Sequence, residues 1–404
     1  MDSTNRRHRR WWLVATVAAL GLIGGPARAQ NTKVLRSDTL GALGVGARSI
    51  GMGGAFVSVA DDVTAIFWNP AGLTQVGRQF AFDVRTLPKS FLDIDNFTRN
   101  VSSTSAQFSF VGISLAGENG GFGFSRTLAG FEDTDFVSTL AGQRLRGREI
   151  ARYWFNTLAY GQRLKDFSKG NLRYGIGATW VQLDALATGA AVGLGGPAED
   201  QGTGDGFTFT LGLLYDPAPE SRWTFGLSYL NPTSIGDIGL QAPVFGDRVG
   251  GRVSAGASYR IRENRDSDGK LTGRLLGSVE GRHYFAGDDS AVVESREPTT
   301  DVHVGFEYMV QPGAKPWRYA LRAGFYTRNS PNDTIFYDDR VVTFGVGVER
   351  KDRYSADLGI EFSTVTGDPL LTTSVRYTLG GKPGAGSKKP AAKPPVAKPA
   401  EKAK

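Results

Sequence analysis

The chain has 404 residues, of which 54 are glycine and none is cysteine, and 40% are hydrophobic. Its mean hydropathy is −0.24, and no stretch reaches the roughly 18 apolar residues that a membrane helix needs. A helical membrane protein is thereby excluded, as are disulfide stapling, thiolate chemistry and cysteine-based metal sites. A membrane barrel is not excluded, because its strands need only one apolar residue in two. The formal charge of +7 sits at the two ends: residues 1–29 contribute +4 and residues 380–404 contribute +6, which leaves a body of −3. A slightly acidic body gives no reason to expect nucleic-acid binding.

Residues 1–29 read as an export signal. Arg6, Arg7, Arg9 and Arg10 form a positive region, an apolar run follows from Trp11 to Gly25, and Ala27-Arg28-Ala29 before Gln30 is a small-residue cleavage site. The run is too short for a membrane anchor. Arg9-Arg10-Trp11-Trp12 also imitates a twin-arginine signal, but a barrel must cross the inner membrane unfolded, and four arginines before an apolar run serve any export route.

Residues 30–78 are expected to form a plug or hatch segment, because they lack the strand rhythm that governs the chain from Gln79 onward. Gly44, Gly46, Gly51, Gly53 and Gly54 permit tight bends and close packing. Asp61-Asp62 is placed to cap a short helix through Phe67. Asn69-Pro70-Ala71-Gly72 reads as a turn, with Gly72 free to take positive φ. This segment resembles the N-terminal region of the FadL-like outer-membrane proteins, especially their PorV/PorQ branch. The resemblance rests on Gly46-Ala47-Arg48, Gly51-Met52-Gly53-Gly54-Ala55-Phe56, Ala60-Asp61-Asp62, Thr64-Ala65 and Trp68-Asn69-Pro70-Ala71-Gly72-Leu73. It covers about thirty residues, and the remainder matches only as a barrel of suitable length.

The resemblance implies a barrel of fourteen strands with the Asn-Pro-Ala turn inside it. FadL passes long-chain fatty acids sideways into the membrane through a gap beside a kinked third strand, whereas PorV carries exported proteins for a secretion system. Gly121 and Gly123 make the third strand here glycine-rich enough to kink. Asp61 and Asp62 need cationic partners inside a barrel. Arg274, Arg282, Arg318, Arg322 and Arg376 lie on polar strand faces and are the candidates.

From 79 to 379 the chain repeats one theme, an alternating segment and then a turn. Between 301 and 310, Val302, Val304, Phe306 and Tyr308 alternate with Asp301, His303, Gly305 and Glu307; Val342, Phe344, Val346 and Val348 do the same between 340 and 350. A period of two puts each set on its own face. Similar segments begin near Gln79, Thr104, Gly121, Glu149, Asn171, Asp205, Ser221, Gly250, Leu271, Thr299, Pro316, Asp339, Tyr354 and Leu370, which predicts an all-β, transmembrane antiparallel barrel of about fourteen strands. Connections alternate between long (87–103, 129–148, 185–204, 231–249, 286–298, 329–338) and short (117–120, 165–170, 216–220, 263–270, 311–315, 351–353). Long external loops with short periplasmic turns are the outer-membrane pattern, and an even strand count puts both termini on the periplasmic side. Trp223, Tyr215 and Tyr229 are read as flanking one short turn, Tyr308 and Trp317 another, with Tyr377 ending the last strand, as an interfacial girdle requires.

Residues 380–404, rich in Lys, Pro and Ala, are expected to be an extended, solvated periplasmic tail. An anionic periplasmic polymer is the alternative partner.

Chemistry is sparse. His303 with Asp301 and Glu307 has a spacing that could bind a metal, but reads as a polar row lining the lumen. Asn264 to Gly269 imitates the start of a calcium loop, yet Leu275 stands where that loop needs Glu. The glycine repeats sit within strands without a following helix. No enzyme, metal or cofactor is expected. The leading expectation is a FadL-like channel for hydrophobic small molecules, gated by the plug; the alternative is a PorV-like component of protein secretion or envelope assembly. The expected partners are outer-membrane lipid, with a hydrophobic small molecule or envelope proteins, and no nucleic acid.

Overall fold

The alternation seen in the sequence becomes a wall with two unlike faces. The computed structural model describes residues 44–379 apart from 94, 97, 117–119, 141–142, 165–169, 192–197, 237–247, 266–270, 286–297, 314–315, 330–337, 351–352 and 366–367. The expected export signal (1–29), residues 30–43, the expected tail (380–404) and the calcium-loop-like stretch beyond Arg265 lie outside the described residues.

The strands in chain order are β1 (Gln79–Arg85), β2 (Pro88–Asp93), β3 (Thr98–Ser103), β4 (Gln107–Ala116), β5 (Gly120–Leu140), β6 (Gln143–Leu164), β7 (Asn171–Ala191), β8 (Ala198–Asp216) and β9 (Trp223–Leu230). After two short bridging strands, β10 (Thr233–Ser234) and β11 (Arg248–Val249), come β12 (Arg252–Arg265), β13 (Leu271–Tyr284), β14 (Thr299–Val310), β15 (Trp317–Arg328), β16 (Asp339–Arg350), β17 (Tyr354–Ser363) and β18 (Leu370–Thr378). Leaving aside β2, β3, β10 and β11, fourteen strands pair antiparallel, each with the next, and β1 closes the ring on β18 from Gln79↔Thr378 to Arg85↔Thr372. Both ends of the barrel chain lie at the end of the short turns. The expected all-β, fourteen-strand barrel is what forms.

The two faces are inverted relative to a soluble protein. On β14, Asp301, His303 and Glu307 are buried while Val302, Phe306 and Tyr308 are exposed. Leu158 and Leu321 are each 61% exposed, against 2% for Arg282. Apolar side chains facing out around a closed ring need lipid as their solvent. On β16 the outward row reads Arg340, Val342, Phe344, Val346, Val348, Arg350. Ten residues of strand rise about 33 Å. At a tilt of about 40°, the apolar band between the two arginines is about 25 Å tall, the height of an outer-membrane hydrocarbon layer.

Two sequence readings are corrected. Residues 129–148 and 185–204 are not loops: β5 runs on to Leu140, β6 begins at Gln143, β7 reaches Ala191 and β8 starts at Ala198. These extensions rise beyond the outer apolar band and mix polar, small and apolar residues on both faces, so the period-two signal fades although the ladder continues. Tyr229 does not flank a short turn; its ring meets Phe209 and Phe285 at the opposite end of β9 from Trp223, and Trp223 packs on Tyr259.

Residues 44–76 are almost wholly buried inside the ring. They form α1 (Ala47–Gly51), α2 (Ala65–Trp68) and a 3₁₀ turn (Pro70–Thr74). The wall receives them on glycines that face inward and pair across strands: Gly359↔Gly345, Gly324↔Gly305, Gly256↔Gly226, and Gly212↔Gly175↔Gly161↔Gly121. A Cβ on Gly51 would lie 2.9 Å from Gly345 Cα, and one on Gly324 would lie 2.6 Å from Gly53 Cα. Much of the chain's glycine is therefore spent on letting the inner segment touch the wall backbone to backbone.

Candidate functional site

The inner segment is held by ions on the short-turn side. Arg48 on α1 makes a bidentate pair with Glu307 of β14, Nε–Oε2 at 2.7 Å and Nη2–Oε1 at 3.1 Å. The same guanidinium pairs with Asp61 and lies 3.2 Å from Asp62 Oδ2. Glu307 also accepts from Arg322 Nε at 2.9 Å and from Arg274. Of the arginines read as partners for the aspartates, Arg376 lies 3.3 Å from Asp62 Oδ2 and Arg274 lies 3.6 Å from Asp61 Oδ2. The other three face the lumen but are taken by wall carboxylates: Arg282 by Glu280 at 2.6 Å, Arg318 by Glu349 at 2.9 Å and Arg322 by Asp357 at 2.8 Å. Each of these carboxylates projects from the wall close to its arginine, within one strand for Glu280, across one pairing for Glu349 and two strands away for Asp357, and Arg282 also donates to the Gly54 carbonyl of the inner segment. Arg48 stood in the sequence motif, yet its role was not read from it, because nothing local to α1 signals an acidic wall. Burial alone would raise the Asp61 carboxyl, but Arg48 and Arg274 outweigh it and hold that carboxyl below its ordinary value. These groups line a cavity of about 220 Å³ with Arg318, Glu349 and Asp357.

The turn motif is wired into the wall. Asn69 is extended at φ −163°, ψ 102° and its Oδ1 accepts from Ala71 N at 3.2 Å. Its amide donates to Val57 O and Leu213 O, both at 2.9 Å, and to Leu227 O at 3.3 Å. Pro70 fits the first position of the 3₁₀ turn, where no N–H is needed. Gly72 is not among the positive-φ glycines; it is small because a Cβ there would strike the carbonyl of Ala60. Asp62 closes the turn into α2, its Oδ1 accepting from Thr64 N at 3.0 Å and Thr64 Oγ1 at 2.6 Å. Trp68 donates from Nε1 to Val45 O at 3.0 Å and lies under the Arg282 guanidinium, 4.6 Å from its Cζ.

Beyond this floor the interior is split. Toward β13–β18 it is polar: His303 Nδ1 lies 2.7 Å from Gly53 O, Asp301 accepts from Asn329 N at 2.7 Å, and Tyr326 donates to Glu361 at 2.6 Å. His303, Asp301 and Glu307 thus face separate partners rather than one common point. Toward β4–β9 it is mainly apolar, with buried threonine hydroxyls such as those of Thr157 and Thr179, 2.9 Å apart. Phe67 and Trp68 continue into Phe110, Tyr153, Phe155 and Leu183, and then into Leu230, Ile235 and Val249 near the long connections, as one buried cluster.

This apolar sector meets a break in the wall beside the third barrel strand, β5. β4 pairs with β5 only as far as Phe110↔Thr127. From Ser90↔Thr134 onward β2, the continuation of β1, lies parallel beside β5 in its stead. Residues 128–133 of β5 have no ladder partner on that edge among the described residues. Opposite β6 the register slips between Leu128 and Gly130, a β-bulge. Leu87, Leu128, Phe131 and Ile150 pack over the break, and Ala129 belongs to the interior cluster, so wall and interior touch there. Gly121 and Gly123, expected to kink this strand, are regularly paired. They face inward against Leu73 and Ile66, and the irregularity lies further along the strand. The apolar run Leu128-Ala129-Gly130-Phe131, where alternation lapses, was its signal in the sequence.

No protein-family model matches the chain, and no curated protein matches it in sequence. Solved structures do. The Pseudomonas putida toluene transporter TodX is similar at a TM-score of 0.55 and 14% identity, over 84% of this chain and 99% of that one. A Pseudomonas aeruginosa FadL homologue is similar at a TM-score of 0.51 and 12% identity, over 84% and 99%. The arrangement of barrel strands therefore has the fold of the FadL-type outer-membrane channels.

Proposed function

We propose that the protein is a FadL-like channel for hydrophobic small molecules in the bacterial outer membrane. The observation that carries this is the continuous apolar sector from the long connections to Phe67 and Trp68, which touches the wall break at Ala129 and Leu128. The similarity to a structure described as a toluene transporter supports small aromatic hydrocarbons as the class. In this reading the long connections face outward, both termini are periplasmic, residues 1–29 are removed on export, and residues 30–78 act as the plug. An apolar solute leaving toward the periplasm would cross the cavity ringed by Arg48, Asp61, Glu307 and Arg322. Each Å² of apolar surface moved from the apolar sector into that hydrated space forfeits about 25 cal/mol. The break beside β5 is the easier exit, and a local shift of Phe67 and Trp68 gates it while the rest of the plug stays docked. Asp61, Asp62, Trp68, Asn69, Pro70, Ala71 and Gly72 then act by fixing that floor.

The test is uptake of a monoaromatic hydrocarbon into cells lacking their own channels, with and without the protein. Equal rates exclude the reading. A PorV-like secretion role draws on the inner-segment motif, and on a plug that fills the lumen at the glycine level. It predicts stable copurification with envelope proteins in mild detergent and no effect on hydrocarbon entry.

A further inference from the structure

We infer that the outer wall carries a binding site for the phosphate group of a membrane lipid, centred on Arg126. Neighbouring Ser125 and Thr127 are buried inward, whereas Phe122 and Phe124 on the same side as Arg126 are 56% and 48% exposed, so Arg126 faces the membrane. Its level follows from the cross-strand rows. Below it run Phe124–Leu158–Ala178–Phe209 and Phe122–Tyr160–Ile176–Leu211, nearly all apolar. Its own row is Arg126–Asn156–Trp180–Phe207, and the rows above bring Gln182 with Asp205, then Arg152 with Asp184. Arg126 stands in the row at which the outward face turns from apolar to polar, a row it shares with Trp180 and Phe207, aromatic residues of the kind that mark the hydrocarbon–headgroup boundary.

The guanidinium is held without being neutralised. Its Nη1 donates to Asn156 Oδ1 and Gln182 Oε1, both at 2.9 Å, and Asn156 Nδ2 donates to the same Gln182 oxygen at 2.9 Å. Its Cζ lies 4.7 Å from the Trp154 ring centroid. Both acceptors are neutral amides. The ion pairs nearby join Asp133 and Asp135 to Arg148 and Asp135 to Lys89; none among the described residues engages Arg126. A cation oriented at the edge of a low-dielectric layer, with Nε and Nη2 outside these bonds, presents the fork that a phosphate accepts bidentately. The lipid's chains would lie on the apolar rows beneath. Asp205 and Asp184 lie above, so the anion approaches from the membrane side. Which leaflet supplies it rests on the proposed orientation, which assigns the outer one and hence a phosphorylated glycolipid.

The experiment uses the full-length protein in a neutral maltoside detergent, titrated with a bis-phosphorylated glycolipid, its phosphate-free counterpart and inorganic phosphate, and read by native mass spectrometry. The phosphorylated lipid is expected to bind at least about tenfold more tightly than the phosphate-free one, and Arg126→Gln to remove most of that difference, since hydrogen bonds between charged groups are the strong ones. Should Arg126→Gln fail to insert, Arg126→Lys keeps the charge, loses the fork and is expected to bind about threefold more weakly. Equal binding of the two lipids, unchanged binding by the variant that folds, or competition by millimolar inorganic phosphate overturns the site. Hydrocarbon entry through Arg126→Gln stays at the parent rate, so this result stands apart from the fate of the channel reading.

Discussion

The side-chain amide of Asn69 donates to the backbone carbonyl of Leu213 at 2.9 Å, so a residue of the inner segment is bonded to the main chain of the wall. The same amide reaches Leu227 O on β9 and Val57 O, which ties two wall strands and two parts of the inner segment to one side chain. Asn69→Ala deletes these bonds together with the turn bond to Ala71 N, at a cost of about 2–4 kcal/mol. Heat-modifiable gel mobility in dodecyl sulfate should show the folded band lost at lower temperature. Asn69→Asp, which keeps the acceptor for Ala71 N and loses the donors, should be nearly as damaging.

Glycines facing inward should behave unlike those facing out. A side chain at Gly324 would collide with the backbone of Met52 and Gly53, whereas a Cβ on Gly281 meets nothing within 4 Å. Gly324→Val is expected to expel the inner segment or abolish assembly, and Gly281→Val to change stability by less than about 0.5 kcal/mol. Limited proteolysis between residues 44 and 78 in folded protein reads the difference.

Glu307 is the shared anion of three guanidinia, those of Arg48, Arg274 and Arg322. Glu307→Ala leaves that cluster without its central charge, and breaking a buried pair from one side costs about 3–5 kcal/mol. The guanidinium-chloride midpoint in lipid vesicles should fall accordingly. Added salt at neutral pH should barely imitate the mutation, because buried pairs are poorly screened.

The acid side has a definite sign. The Asp61 carboxyl lies below its ordinary value through Arg48 and Arg274, which outweigh the effect of burial. Its stabilising contribution is therefore complete above the unfolded carboxylate value of about 4 and is lost as pH falls through the lower folded value. Fluorescence of the inner segment should show an acid step below about pH 4, and Asp61→Asn should remove its share of that step.

The barrel was legible because lipid and lumen impose a strict period of two. Val342, Phe344, Val346 and Val348 announce a strand with two unlike faces wherever they stand. The tall upper strands were not, because above the lipid band the outer face is no longer held to apolar residues and the strict period lapses; Gln143 to Glu149 reads as a polar loop and is strand. Within the inner segment, Asn69 and Pro70 signalled their turn through local chemistry. Gly121, Gly161 and Gly212 gave no sign of what they admit, since a glycine in a strand looks the same whether it bends the chain or receives a neighbour. Arg48 and Glu307 are 259 positions apart, and Arg48 joins Arg274 and Arg322 on that carboxylate only when the ring closes. The irregularity of β5 lies beyond Gly121 and Gly123, the residues that suggest a kink, for the same reason. Its cause is the changeover from β4 to β2 as the partner of β5, a long-range event that leaves only the apolar run at Leu128 in the local sequence.

The central claim is that an apolar solute passes along the sector of Phe110, Tyr153 and Phe155 and leaves beside β5. The most direct measurement is the initial rate of radiolabelled toluene uptake by cells carrying the protein, compared with cells carrying Phe155→Glu and with cells carrying none, with the folded barrel quantified in each. The account predicts a saturable rate for the parent protein, reduced at least about tenfold toward the channel-free background when a charge is buried in that sector. An uptake rate that Phe155→Glu leaves unchanged, or that the parent protein does not raise, would contradict it.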